Sequence, residues 1–209
     1  MKSKDKKGFI IGVDLGQAQD YTAISILEKI EKFGYIRNQY KEAMYFCRYL
    51  ERVALNTPYP SIVEKVVKIY KKLKEEPATG RPMLILDSTG VGRPVFDMFK
   101  ETEIRPAGIN IHGGSTVTKD GPFHNVPKRD LVGVLQVLFQ TGRLKVSEQL
   151  PDAKTLIDEL LNFKVKININ TAHDSYEAWR EGIHDDLVLA VACAAWWGEK
   201  RGSGIEFLR

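Results

Sequence analysis

Two short apolar runs in this chain each end in an aspartate, and that repeated pattern constrains the fold more than any other feature. Gly8-Phe9-Ile10-Ile11-Gly12-Val13 leads into Asp14, and Met83-Leu84-Ile85-Leu86 leads into Asp87. A run that is apolar throughout, rather than alternating, suits a strand covered on both faces. Such strands need helices above and below the sheet, so the expected class is α/β. In an open sheet the space beyond the carboxyl ends of parallel strands is where ligands bind. Both aspartates would then stand at that edge.

The elements between and after these runs support this frame. After a Gly16 to Asp20 turn, Tyr21 to Leu27 reads as a second strand, Phe33-Gly34 turns, and Tyr35 to Arg48 contains a third, an opening antiparallel meander. Ile62, Val66, Ile69 and Leu73 form a helical stripe with Ser61 as its N-cap, ending before Pro77. Asp87 is followed by Ser88-Thr89-Gly90-Val91-Gly92 and a helix through Phe99. A strand, a helical crossover and a further strand favour parallel pairing, with Ile104 to Ile111 as the fifth strand.

The stretch from His112 to Val126, rich in Gly, Thr, Asn and Pro, reads as a long mobile loop. Pro127 opens a helix carrying Leu131, Val134, Leu135 and Leu138, Gly142 ends it, and Leu144 to Val146 is a short extension. Asp152 to Leu161 is another helix. Asn162 to Asn170 alternates apolar and polar residues, a half-exposed strand hairpinned to Ser175 to Trp179. Leu187 to Trp197 is almost wholly apolar, a buried helix. The expected organisation is a flexible Lys-rich leader over 1–7, one domain over 8–200 and a flexible tail over 201–209.

Composition excludes several classes. At 43% hydrophobic the 209 residues can build a sizeable core, which rules out a disordered chain, and the longest apolar runs fall well short of the ~20 residues that span a bilayer. Asp14 interrupts the first apolar run before it could serve as a signal-peptide core. Two cysteines, Cys47 and Cys193, are too few for a disulfide framework or a thiolate metal site. A net charge of +4 is compatible with a polyanionic partner without requiring one.

If the Asp14 and Asp87 strands are neighbours, their backbones lie ~5 Å apart and the two carboxylates can share a cation. Hard oxygen ligands favour Mg²⁺ or Mn²⁺ over zinc. A third acidic position is His184-Asp185-Asp186, at the start of the buried last helix. There an aspartate can cap the helix, or one can cap while its neighbour reaches the metal. For Asp14 and Asp87 the alternative is an ordinary turn residue.

These blocks, in this order, resemble a known family. Val13-Asp14-Leu15-Gly16 with Asp20-Tyr21-Thr22-Ala23, Asp87-Ser88-Thr89-Gly90-Val91-Gly92, Pro127-Lys128-Arg129-Asp130-Leu131, and Glu181-Gly182-Ile183-His184-Asp185-Asp186-Leu187-Val188-Leu189-Ala190 are similar to the nuclease domain of tailed-bacteriophage terminase large subunits. The resemblance runs from about residue 8 to 197. It implies a ribonuclease H-like α/β fold: a mixed five-stranded sheet flanked by helices, with an accessory β-hairpin before the C-terminal helix. It also implies a metal-dependent endonuclease that cuts concatemeric viral DNA during genome packaging.

By the same resemblance, catalysis and metal binding fall to Asp14, Asp87, Asp185 and Asp186, with a lean toward Asp186 over its neighbour. Asp14 would bridge two Mg²⁺ or Mn²⁺ ions, Asp87 would hold one, and Asp185 or Asp186 would hold the other. Arg93, Lys119, Lys128 and Arg129 lie in segments expected near the catalytic edge and are candidates for contacts to DNA phosphates. Implied partners are double-stranded DNA, a terminase ATPase domain or subunit, the small terminase and the portal, with no membrane. The implied setting is the cytoplasm of an infected or prophage-carrying bacterium. No Gly-x-x-x-x-Gly-Lys-Ser/Thr phosphate loop occurs, so the expectation is a nuclease without its own motor, either an excised domain or a separate subunit.

Two other readings compete. A junction resolvase or RNA:DNA hybrid nuclease would share the fold and the acids. An actin-like or sugar-kinase-like ATP-binding protein would use Asp14-Leu15-Gly16 and Thr22 as a phosphate-binding turn, but such proteins need two sheet domains.

Overall fold

The computed structural model describes residues 5–16, 20–31, 43–77, 79–90, 92–162 and 184–200, together with the backbone of 163–165 and 201–202. Its elements are β1 (Lys6–Asp14), β2 (Thr22–Glu31), β3 (Ala43–Val53), α1 (Tyr59–Lys74), β4 (Met83–Asp87), α2 (Gly92–Lys100), β5 (Ala107–His112), β6 (Thr118–Asp120), β7 (Phe123–Pro127), α3 (Lys128–Gln140), β8 (Leu144–Val146), α4 (Ala153–Val165) and α5 (Asp186–Gly202).

The eight strands form one mixed sheet in the order β6-β7-β5-β4-β1-β2-β3-β8. β1, β2 and β3 are the antiparallel meander, and β4 runs parallel to β1 on its other side. β5 is parallel to β4, β7 to β5 and β8 to β3, while β6 closes a hairpin on β7. The central order β3-β2-β1-β4-β5 and the helices on both faces give a ribonuclease H-like α/β fold.

Strand parity splits the core into two clusters. Ile11, Val13, Leu84 and Leu86 face one way, against α1 and α2 through Ile62, Val66, Phe96 and Phe99. Ile10, Ile85, Ala23 and Leu27 face the other way, against α3, α4 and α5. α5 carries buried residues without interruption from Leu187 to Trp197, which is why the sequence there lacks a polar face. It lies so close to β1 that a Cβ on Gly12 would sit 2.0 Å from the carbonyl oxygen of Ala190. Glycine at that position permits the contact.

Several expectations are corrected. Among the described residues the sheet has eight strands rather than five, because both edges of the central five are extended. The expected loop from His112 to Val126 is largely the β6–β7 hairpin, turned at Gly121 with φ of 55°. Its Gly and Pro residues make the turn, while Phe123 packs on Phe96 and β7 pairs with the open edge of β5. Long-range pairing overrides the loop-like composition.

α1 starts at Tyr59, two residues before Ser61, with the Ser61 and Ile62 amides donating to the Pro58 carbonyl. Pro127 ends β7 and caps α3 rather than lying inside it. β1 begins at Lys6, within the expected leader. α5 continues past Gly198, where Lys29 Nζ donates to the Gly198 carbonyl at 2.8 Å. The expected strand from Asn162 begins instead as helix, since α4 runs to Val165. The rest of that hairpin, the first four residues and 203–209 lie outside the described residues. Cys47 and Cys193 are both buried and unbridged. No described helix is long and apolar enough to cross a membrane.

Candidate active site

Asp14 and Asp87 come together as the strand ends predict. Val13 pairs with Leu86 across the parallel β1–β4 ladder, so the two aspartates follow one another at adjacent strand ends. Both are buried, at 8% and 9% exposure. Burial, then the charges of Asp87, Asp186 and Asp185, push Asp14 well above the ordinary carboxylate range. Its carboxyl donates a hydrogen bond to Asp87.

Burial also raises Asp87, opposed by hydrogen bonds from Thr89. The Thr89 amide donates to Asp87 Oδ1 at 2.8 Å, and the Thr89 hydroxyl oxygen accepts from the Ile111 amide at 2.9 Å. The Asp-Ser-Thr-Gly turn is thus tied to β5. Gly90 has φ of 61°, and a Cβ on Gly92 would meet the Asp87 carbonyl oxygen at 2.2 Å, so both glycines are needed for the chain to enter α2 this tightly.

The start of α5 supplies the third acidic group. Asp185 accepts from Lys128 Nζ at 2.7 Å, and Lys128 also lowers Asp87. Asp186, 5% exposed, has Arg52 Nη2 at 3.6 Å and His184 Nδ1 at 3.7 Å from its Oδ2. That buried Oδ2 accepts no hydrogen bond. Burial pushes the Asp186 carboxyl up to about 6 against the pull of Arg52 and His184.

Two groups at this site were not singled out from the sequence. Arg52 of β3 lies in the same row of the sheet as Asp14, through the pairs Asp14 with Ala23 and Ala23 with Arg52. Directly paired residues point to the same face, and the small Ala23 leaves room between them. Arg52 Nη2 donates to Glu159 Oε1 of α4 at 2.6 Å, and its guanidinium lies 4.9 Å from the Tyr21 ring centroid. Glu159, 4% exposed, also accepts the Val188 amide at 2.9 Å. Burial first of all lifts it to about 7. A sequence signal did exist, because Glu159 falls on the apolar stripe with Leu156 and Leu160.

Of the cationic candidates, Lys128 stands within the acidic cluster. Arg129, at the start of α3, donates to the Ser115 carbonyl at 2.9 Å. Arg93 is exposed at the start of α2, its guanidinium 4.5 Å from the Phe123 ring centroid. Lys119 lies on β6. Its charge acts on His124 and Lys200, and Lys200 is fourteen residues along α5 from Asp186, ~21 Å at the helical rise. By register Lys119 pairs with His124, His124 with Ile109 and Ile109 with Asp87, so Lys119 stands three strands across the sheet from Asp87.

Among the described residues, no group of three or more His, Cys, Asp or Glu side chains is assembled as a ready metal cluster. Asp185 is turned to Lys128, and Asp186 to Arg52 and His184. The donor chemistry nonetheless fits a hard divalent cation. Two buried carboxyls share a hydrogen bond, and a third has an oxygen that accepts none.

The fold and these acids define a ribonuclease H-like chain with a carboxylate cluster at the carboxyl ends of its parallel strands. The sequence is 25% identical over 186 residues to the terminase large subunit of Thermus virus P23-45, and 26% identical over 186 residues to that of Thermus phage G20c. Each alignment covers 89% of this chain and 31% of the relative, so the chain spans about a third of the length of these relatives. The fold is similar to that of a manganese-soaked nuclease domain of the human cytomegalovirus terminase, with a TM-score of 0.56, 14% identity, and coverage of 97% of this chain and 89% of that one. No family model matches. The chain is thus similar in sequence to part of terminase large subunits and in fold to a terminase nuclease domain.

Proposed function

We propose that this chain is a terminase-type endonuclease domain that hydrolyses phosphodiester bonds of double-stranded DNA with Mg²⁺ or Mn²⁺. Its substrate is concatemeric viral DNA, cut during packaging in the bacterial cytoplasm. It acts alongside a terminase ATPase domain or subunit, the small terminase and the portal. The observation that carries this reading is the burial of Asp14 against Asp87 at adjacent strand ends, with the Asp185-Asp186 start of α5 close enough to perturb Asp14.

Asp14, Asp87 and Asp186, with Asp185 at the margin, are the residues that would hold the metal. When bound, divalent cations relieve phosphate charge, activate water and stabilise the leaving oxygen. The protein's own groups orient this chemistry. Thr89 fixes the Asp87 carboxylate, and Lys128 balances Asp185 beside it. Arg93 and Arg129 flank the edge as phosphate contacts.

The test is Mn²⁺-dependent cleavage of plain duplex, four-way junction and RNA:DNA hybrid by wild type and Asp14→Asn. The expected result is duplex cutting by wild type and none by the folded variant. Retained cutting by Asp14→Asn, or preference for junction or hybrid, would overturn the assignment.

A further inference from the structure

The first turn of α5 is capped by another helix. The Leu189 amide donates to the Asp185 carbonyl at 2.9 Å, which makes Asp185 the N-cap residue and Val188 the third helical position. An N-cap side chain ordinarily accepts the amide of the second or third helical residue. Here the Val188 amide donates to Glu159 Oε2 at 2.9 Å, while the Asp185 carboxylate goes to Lys128. Glu159 in turn holds Arg52, whose guanidinium faces Asp186, and the Arg52 amide donates to Asp152 Oδ2 at 2.9 Å beside the start of α4. α4 is therefore fixed to β3 at two points and to α5 at a third.

We propose that Glu159 and Arg52 are positioning residues for the acids of α5. Glu159 caps the helix in place of its own aspartates, and Arg52 draws Asp186 toward the row it shares with Asp14. The capping role that a His-Asp-Asp helix start would normally fill is taken over by α4, which leaves the Asp185 carboxylate to Lys128 and the Asp186 carboxylate to Arg52 and the cluster. This rests on the nuclease reading above. Residues that orient metal ligands typically cost roughly 10- to 100-fold in metal affinity or activity when removed.

The experiment uses the whole chain and the variants Glu159→Ala, Glu159→Gln, Arg52→Gln and Arg52→Lys. Mn²⁺ binding is followed by calorimetry, alongside melting temperature, duplex cleavage and a metal-free crystal structure of Glu159→Ala. In that crystal structure the Asp185 or Asp186 carboxylate should swing onto the Val188 amide. Arg52→Gln should raise the Mn²⁺ midpoint about tenfold or more and lower kcat, with KM for duplex nearly unchanged, and Arg52→Lys should recover part of the loss.

Glu159→Gln, which can still accept the amide, should fall between Glu159→Ala and wild type. Aspartates unmoved in Glu159→Ala overturn the positioning role whether or not Mn²⁺ binds. So do variants that melt lower but bind Mn²⁺ as wild type does. A wild type that binds Mn²⁺ without cutting DNA overturns the nuclease reading instead, and the crystallographic readout still decides the positioning role. Should Arg52→Gln fail to fold, Arg52→Lys carries the comparison.

Discussion

Asp14 is the residue on which the site turns, and its environment has a cost that can be measured. With its carboxyl held well above the ordinary value of 3.8, the folded protein keeps a proton that the unfolded chain releases near pH 4. The stability from this group is fully present below that value and lost as pH rises through the folded one. Metal-free protein should therefore melt at a lower temperature at pH 8 than at pH 5, with a smaller fall in Asp14→Asn. Mn²⁺ at pH 8 should raise the melting temperature of wild type and not of the variant. His124 acts with the opposite sign. Burial against Trp196 and Trp197 lowers it from 6.5 to about 4, so its contribution is lost as pH falls through that window. Subtracting the Asp14→Asn profile from that of wild type removes the His124 contribution, and an unchanged difference across pH would refute the Asp14 account.

At the scale of elements, the distance between β1 and α5 sets where the acids meet. Gly12→Ala would drive a methyl group to 2.0 Å from the Ala190 carbonyl, so α5 must shift. Overpacking of this kind costs on the order of 1–3 kcal/mol, read as a lower urea midpoint, and it should weaken Mn²⁺ binding because the start of α5 moves with the helix. Gly8→Ala, four residues earlier in the same strand, meets nothing within 4 Å and should be close to neutral in both measurements. Equal effects at the two glycines would mean that the helix contact is not what places the site.

For the whole molecule, the question is where its cations lie relative to the acids. A phosphate contact contributes about one unit to the salt dependence of duplex binding. Arg129→Ala should weaken binding and flatten the plot of log affinity against log salt by about that amount, since Arg129 starts α3 next to Lys128. Lys119→Ala should flatten it less, because three strand spacings separate Lys119 from Asp87. The reverse result would put the duplex on the hairpin face.

Much of this was legible in the chain. The runs ending in Asp14 and Asp87, the uninterrupted apolar stretch of α5 and the acids at its start are local patterns, and local patterns report the elements that carry them. Less legible were β6 and β7, whose turn residues masked a strand that forms only against the edge of β5. Arg52 and Glu159 were also missed, since a charge on a half-apolar strand or helix looks solvated until its partner is known. The sequence by itself determined the central strands, the main helices and the acids at their ends, because periodicity and turn chemistry act over a few residues. Only the tertiary structure decided that Asp14, Ala23 and Arg52 share a row, that Glu159 caps α5, and that Asp186 faces the cluster. The Glu159 hydrogen bonds to Val188 and Arg52 join residues 29 and 107 positions apart, and no local propensity reaches that far.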